Sequence, residues 1–313
     1  MTAATETQLA SAVLMIRPVR FESNPLTAAS NRFQGKTQAT SDEQQDAAKR
    51  EFDGLVDALR DNDVDVVVVE DTHEPHTPDS IFPNNWVSFH ADGSVVLYPM
   101  EAENRRTERR LDIIEKLDSD FGYAVREIVD LSHHEQSGHF LEGTGSMVLD
   151  RVNRVAYACL STRTHLDALG DFAQRMGYEV VAFDAVDRNG VAIYHTNVLM
   201  NVGEKLAVIG DVAISREEQR AAVLQRLTDT GHTIISLSYD QIEVFAGNML
   251  ELRKKNGGRL TAMSQQAFDS LTDEQLSLLQ QNGTVLPIDI GVIEAAAGGS
   301  VRCMLAEIHL PRD

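Results

Sequence analysis

Apolar positions along this chain fall into two kinds of short run, and the two kinds alternate. Val13-Leu14-Met15-Ile16 is continuous and soon meets Pro18, which predicts a buried strand over residues 13–18. From 42 to 59 the apolar residues Ala47, Ala48, Phe52, Leu55, Val56 and Leu59 recur at helical spacing, so this stretch is an amphipathic helix. Residues 64–69 are β-branched and apolar after Asp65, which suits a covered strand. The rhythm continues with strands over 94–98 and 124–129 around a helix over 106–117. A hairpin over 147–150 and 155–159 leads to a helix over 166–176 and a strand over 178–183. Then follow strands over 193–201 and 206–209, a helix over 216–227 and a strand over 233–237. Strands through 249–252 and 260–263, a helix over 272–281 and a strand-like tail after Cys303 complete the chain.

No Pro/Gly/Ser-rich linker separates two halves. The pattern predicts a loose tail over residues 1–11 and one α/β domain over 12–313, built from repeated strand-strand-helix-strand units without a legible sequence repeat. Charge narrows the partners. A net charge of −20 repels nucleic acid and anionic membrane surfaces. No run reaches the ~18 apolar residues of a membrane helix, and the first residues lack a signal peptide's basic and apolar regions, so a cytoplasmic protein is expected. Cys159 and Cys303 lie far apart and outside any metal-ligand spacing, as in a reduced protein with one reactive thiol.

Five polar constellations interrupt the apolar pattern. Gly298-Gly299-Ser300-Val301-Arg302-Cys303-Met304 joins a glycine turn, whose N–H groups are expected to be exposed, to a cysteine beside an arginine, which stabilises a thiolate. A glycine turn before a core cysteine would read the same. Pro78-Asp79-Ser80-Ile81-Phe82-Pro83-Asn84-Asn85-Trp86 fixes a carboxylate and two amides on a rigid loop, suited to a planar polar group or to Asx-turns. Glu142 lies between glycines in Gly138–Met147, and His195 interrupts a strand-like run in which Asn197 would share its face. His139 competes with His195 for an acid/base role, whereas His133, His134 and His165 read as surface residues. Arg163 follows the strand ending at Cys159, and Arg105-Arg106 follows Tyr98; either is placed to grip a carboxylate. Phosphate loops, metal spacings and the Gly-x-Ser-x-Gly elbow are all missing, which leaves a cysteine site without metal or cofactor.

Taken in order, these motifs resemble the guanidine-modifying (pentein) superfamily, and within it most closely the citrulline hydrolase (citrulline ureidase) branch. The resemblance rests on Met15–Val19, Asn31–Gln34, Pro78–Trp86, Leu141–Gly145, Ser161–Thr164, His195-Thr196-Asn197 and Gly298–Met304, and spans nearly the whole chain. It implies a five-bladed α/β-propeller of ββαβ units, and a small amino-acid substrate. It further implies Cys303 as nucleophile, His195 as acid/base with Glu142 as its partner, Asp79 orienting substrate, and Arg163 with Arg105 on the substrate carboxylate, Arg106 being the alternative. Asn84, Asn85 and Asn197 are expected on the substrate. Self-association is left open.

The departures select among substrates. Deiminase-type relatives carry acids where this chain has Asn85, Asn197 and Gly145. A guanidinium needs buried counter-charge, whereas a neutral ureido group needs amides that both donate and accept. Citrulline is therefore expected as substrate, with arginine hydrolysis as the alternative and a non-catalytic amino-acid-binding protein as the alternative of another class.

Overall fold

Each strand-strand-helix-strand unit folds as a three-stranded sheet with one internal order, in a computed structural model that describes residues 6–28, 31–35 and 41–312. The chain opens with β1 (Ala12–Arg17), α1 (Ser41–Asp61) and β2 (Asp65–Glu70), β2 running parallel to β1 with Val66 opposite Val13. The second unit is β3 (Val87–Phe89), β4 (Ser94–Leu97), α2 (Leu111–Ser119) and β5 (Glu127–Asp130). In the third, a single turn α3 (Gly143–Ser146) precedes β6 (Val148–Asp150), β7 (Val155–Cys159), α4 (Leu166–Met176) and β8 (Glu179–Phe183). The fourth repeats this with α5 (Thr196–Leu199), β9 (Met200–Val202), β10 (Leu206–Ile209), α6 (Glu217–Asp229) and β11 (Thr233–Ser236). The fifth runs α7 (Tyr239–Glu243), β12 (Leu250–Arg253), β13 (Arg259–Ser264), α8 (Gln265–Asp269), α9 (Asp273–Asn282) and β14 (Thr284–Ile288). After α10 (Gly291–Ala297), β15 (Ala306–Glu307) returns to pair antiparallel with β1 and completes the first sheet.

In every sheet the middle strand is antiparallel to its first neighbour and parallel to its other one. Five such sheets make the five-bladed α/β-propeller expected of the superfamily. The first strands of successive blades touch, β15 against β3 and β6 against β9, which sets them innermost. Four apolar clusters fill the spaces between sheets and helices, and the stripe Ala48, Phe52, Leu55, Val56, Leu59 of α1 is buried in one of them. Local sequence fixes the helix ends: Thr272 and Gln275 form a reciprocal capping box on α9, and Gly177 closes α4 in the left-handed region.

Three expectations need correction. Of the tail over residues 1–11, the first five lie outside the described residues. Glu6, Gln8, Leu9 and Ala10, however, are buried, because Glu6 pairs with Arg151 at 2.8 Å and Gln8 donates to the carbonyls of Leu149 and Val202. The helix over 106–117 starts only at Leu111, after a 3-10 turn over Glu103–Glu108. The run 193–201 is not one strand: Thr196 Oγ1 donates to the Ser146 carbonyl at 2.5 Å and accepts from Cys159 N at 2.8 Å, and the chain coils into α5 before β9. A tertiary contact here overrides strand propensity. Neither β14 nor α10 was anticipated. Among the described residues no helix is long and apolar enough to cross a membrane.

Candidate functional site

One short turn precedes the innermost strand of each blade, and these turns carry the site. They are the 3-10 turn Pro83–Asn85 before β3, α3 after Glu142, α5 after His195, the turn over residues 244–247 before Asn248, and the 3-10 turn Val301–Met304 before β15. Side chains from different blades thereby line one pocket, among them Asp79, Asn85, Arg105, Arg163, His195 and Cys303. Thr27 and Asn31 line it as well, with Arg163 Nη2 donating to the Thr27 carbonyl at 3.2 Å.

Cys303 is buried, and its thiol is met by two amides, Asn248 Nδ2 at 3.3 Å and Asn197 Nδ2 at 3.4 Å. Burial pushes the thiol up from its ordinary value, and the hydrogen bonds at Ser300, Asn248 and Asn197 with the Arg302 charge offset part of that. The expected activation by Arg302 is therefore small. Its guanidinium is spent on Glu307 at 2.7 Å and the Leu305 carbonyl at 2.8 Å. The expected exposed N–H groups are also engaged, Cys303 N on the Ser300 carbonyl and Arg302 N on Asn248 Oδ1, each at 3.0 Å. Gly298, at φ +65°, leaves no room for a side chain against Gln34 N and Asn31, and Tyr194 Oη donates to its carbonyl at 2.5 Å.

His195 Nε2 lies 2.8 Å from Glu142 Oε2. Burial pushes His195 down to about 4, with Arg163 and Arg105 adding to the effect against the pull of Glu142. The imidazole is thus neutral near pH 7. Burial would raise Glu142, but Arg163, His195 and Arg105 outweigh it and hold the carboxyl well below its usual range. Of the other histidines named, His139 stacks on His165 at 3.8 Å and pairs with Asp167, outside this pocket.

The two arginines differ. Arg105 is buried, with its fork closed on Glu108 (Nη2 to Oε2, 2.9 Å) and Nη1 donating to Asn85 Oδ1 at 3.0 Å. Arg106 pairs with Glu135 instead and does not line the pocket. Of the two, Arg105 lines the pocket, where its guanidinium also faces Asn85 and Asp79. Arg163 lies over the Tyr194 ring at 5.0 Å, between Glu142 at 3.4 Å and Glu101 at 3.3 Å. Asp79 accepts from Asn24 Nδ2 at 2.7 Å and faces Arg105 Nε at 3.4 Å.

Two of the three amides stand elsewhere than expected. Asn85 lines the pocket, but Asn84 sits behind it and accepts from Asn85 Nδ2 at 3.0 Å. Because 196–199 is a helical turn, Asn197 does not share a strand face with His195 and contacts Cys303 instead. A Cβ at Gly145 would lie 2.6 Å from Asn85 Nδ2 and 2.7 Å from His195 Nδ1, so any larger residue there would push both side chains aside. Asn248 and Glu108 were missed. The small residues of Phe245-Ala246-Gly247-Asn248 just before a strand were the one signal for the former; nothing local marks the latter.

Comparison with known proteins agrees with this architecture. The structure resembles ArgZ, a cyanobacterial arginine dihydrolase, at a TM-score of 0.72 and 17% identity, covering 96% of this chain and 41% of that one. It covers 40% of an AgrE chain as well. Against the substrate-bound N-terminal domain of ArgZ the TM-score is 0.70 at 17% identity, covering 96% of this chain and 99% of that one. A dimethylarginine dimethylaminohydrolase adduct with S-methyl-L-thiocitrulline gives 0.60 at 15% identity, with 95% and 99% covered. No curated protein sequence matches. A family model described as "N,N dimethylarginine dimethylhydrolase, eukaryotic" matches residues 17–310, so the chain belongs to that family, within the guanidine-modifying (pentein) superfamily.

Proposed function

We propose that the protein is a cysteine-dependent hydrolase that cleaves the ureido group of citrulline to ornithine, carbon dioxide and ammonia. The observation that carries the substrate choice is the packing at Gly145: a side chain there would displace Asn85 and His195, so the pocket as packed presents an amide and an imidazole where a guanidinium would need an acid. The charges already present are mutually paired, Glu142 with Arg163 and Asp79 with Arg105. A net-neutral substrate suits such a site better than a cation.

Cys303 gives up its thiol proton as Sγ attacks the ureido carbon, and the Asn248 and Asn197 amides stay beside the sulfur. His195, neutral at rest, takes a proton and delivers it to departing ammonia, with Glu142 fixing its tautomer. Water then attacks the thiocarbamate while His195 removes its proton, and as the C–S bond breaks that proton passes to the departing sulfur, restoring the thiol and the neutral imidazole. The released carbamic acid loses carbon dioxide to leave ornithine. A covalent path is supported by the relative ArgZ, the N-terminal domain of which was captured covalently bonded to a reaction intermediate. Arg163 grips the substrate carboxylate bidentately and Asp79 orients the chain.

A second reading, hydrolysis of arginine or a methylated arginine, is favoured by the matched family and by the carboxylate of Asp79 in the pocket wall. Incubating the purified protein with citrulline, arginine, dimethylarginine, agmatine and succinylarginine, and measuring ammonia and the amino-acid product, separates the two. Citrulline should give ornithine and ammonia in equal amounts, and arginine should react far more slowly. Faster turnover of arginine would sink the citrulline reading. No turnover of any, with citrulline bound, would leave an amino-acid-binding protein.

A further inference from the structure

A second cluster of chemistry-bearing side chains lies outside the pocket, where the 3-10 turn Ser132–Ser137 packs against α4. His134 Nε2 stands 3.0 Å and His133 Nε2 3.5 Å from the same atom, Asp171 Oδ2. All three ligand atoms lie within 4.8 Å of one another. Arg175 Nε donates to the other oxygen, Asp171 Oδ1, at 2.6 Å, and so fixes the carboxylate with Oδ2 turned to the imidazoles. That is the support an outer shell gives a metal ligand. Because Arg175 already neutralises Asp171, charge pairing alone gives no reason for two imidazoles to converge on its free oxygen.

We propose that His133, His134 and Asp171 form a binding site for a borderline divalent transition ion such as Zn2+. Ligand atoms about 2.1 Å from a tetrahedral ion lie roughly 3.4 Å apart, close to the 3.0 and 3.5 Å at which the two imidazoles stand from Asp171 Oδ2. Imidazole with carboxylate suits Zn2+, Co2+ or Ni2+ and disfavours Ca2+ and Mg2+, which take oxygen ligands. His133 is half exposed, which leaves a route of entry and a position for water.

The neighbouring trio His139, His165 and Asp167 is the poorer site. Its imidazoles stack 3.8 Å apart at 4°, against 4.3 Å and 34° for His133 and His134, so their in-plane lone pairs run side by side, and His165 Nδ1 already accepts from Asp167 N at 3.2 Å. The first trio does bear on the pocket through the chain. His139 N donates to the His134 carbonyl at 3.1 Å, and Glu142 follows three residues later. An ion on His134 would brace the segment that delivers Glu142.

The test uses untagged full-length protein carrying Cys303→Ser, so that the buried thiol cannot compete for metal. Zn2+ titrated calorimetrically should bind at one ion per chain with Kd of about 10 μM or tighter, and Co2+ should give the intense visible absorption of tetrahedral coordination. His134→Ala and Asp171→Asn, each checked for a native circular dichroism spectrum, should weaken Zn2+ binding at least about tenfold, whereas His139→Ala should leave it nearly unchanged. The proposal is overturned by the absence of saturable binding, by equal affinity in His134→Ala and Asp171→Asn, or by a loss in His139→Ala as large as in His134→Ala.

Discussion

At the residue scale, the thiol is the decisive group. A thiol raised by burial is protonated near neutral pH, so Cys303 should react with iodoacetamide more slowly than a free cysteine at pH 7, with a rate climbing through pH 9 and beyond. A fast, pH-independent reaction would mean that the resting enzyme holds a thiolate after all. Cys303→Ser should abolish turnover without loss of fold, whereas Cys159→Ala should cost about 1 kcal/mol and leave kcat unchanged, since Cys159 is a core residue pushed up to about 12 by burial. Asn248 holds the sulfur, the Asn197 carbonyl and Arg302 N together, so Asn248→Ala should lower kcat roughly 100-fold, in the range for removing one preorganised donor. Asn85→Asp would add a carboxylate beside Arg105. It should shift the ratio of arginine to citrulline affinity toward arginine by about 1–2 kcal/mol, roughly tenfold, read as competitive inhibition. Asn197→Asp should instead lower citrulline turnover without helping arginine, because that side chain faces the sulfur; a gain in arginine affinity would restore Asn197 to the substrate.

At the element scale, the turns before the innermost strands do the positioning, and each is fastened from beneath. The clearest fastening is α10. Glu294 accepts from Ser300 Oγ and from Gln266 Nε2, each at 2.6 Å, while the Ser300 carbonyl holds Cys303 N. Burial pushes Glu294 up to about 7. Its folded pKa lies above its unfolded value of 4.5, so its contribution to stability is full below about pH 4.5 and is lost as pH rises through about 7. The stability difference between wild type and Glu294→Gln, from urea denaturation at a series of pH values, should move against the wild type across this window. The expected change from one end of the window to the other is roughly 3 kcal/mol. A flat difference would place Glu294 in an environment where it titrates normally.

At the scale of the whole molecule, the propeller is closed twice. β15 completes the first sheet, and Glu6, Gln8, Leu9 and Ala10 lie buried, Glu6 meeting Arg151 and Arg154. Arg151 is itself buried, so Glu6→Ala would leave a poorly compensated charge inside the protein. It should cost about 3 kcal/mol, seen as a lower Tm, with kcat at low temperature unchanged because the pair lies outside the pocket. Unaltered stability would mean that Glu307, 3.8 Å from Arg151, suffices alone.

What the sequence determined by itself was the alternation of short strands and single helices, and the small set of polar residues that interrupt it. Asp79, Glu142, His195 and Cys303 stand out because a charged or nucleophilic side chain inside an apolar run needs a reason. Strand and helix periods of 2.0 and 3.6 residues are local properties, which is why α4 and β7 coincide with the expected segments. Only the tertiary structure decided the rest. Whether 193–201 runs straight or coils depends on Thr196 reaching Ser146 and Cys159, fifty and thirty-seven residues away. Arg105 shows no partner until Glu108 closes on it, Asn248 looks like a loop residue until the fifth blade brings it to the sulfur, and His133 and His134 read as surface residues until α4 brings Asp171 to both. Periodicity records which way a side chain faces along its own element; which partner waits there is fixed by the packing of one blade on the next.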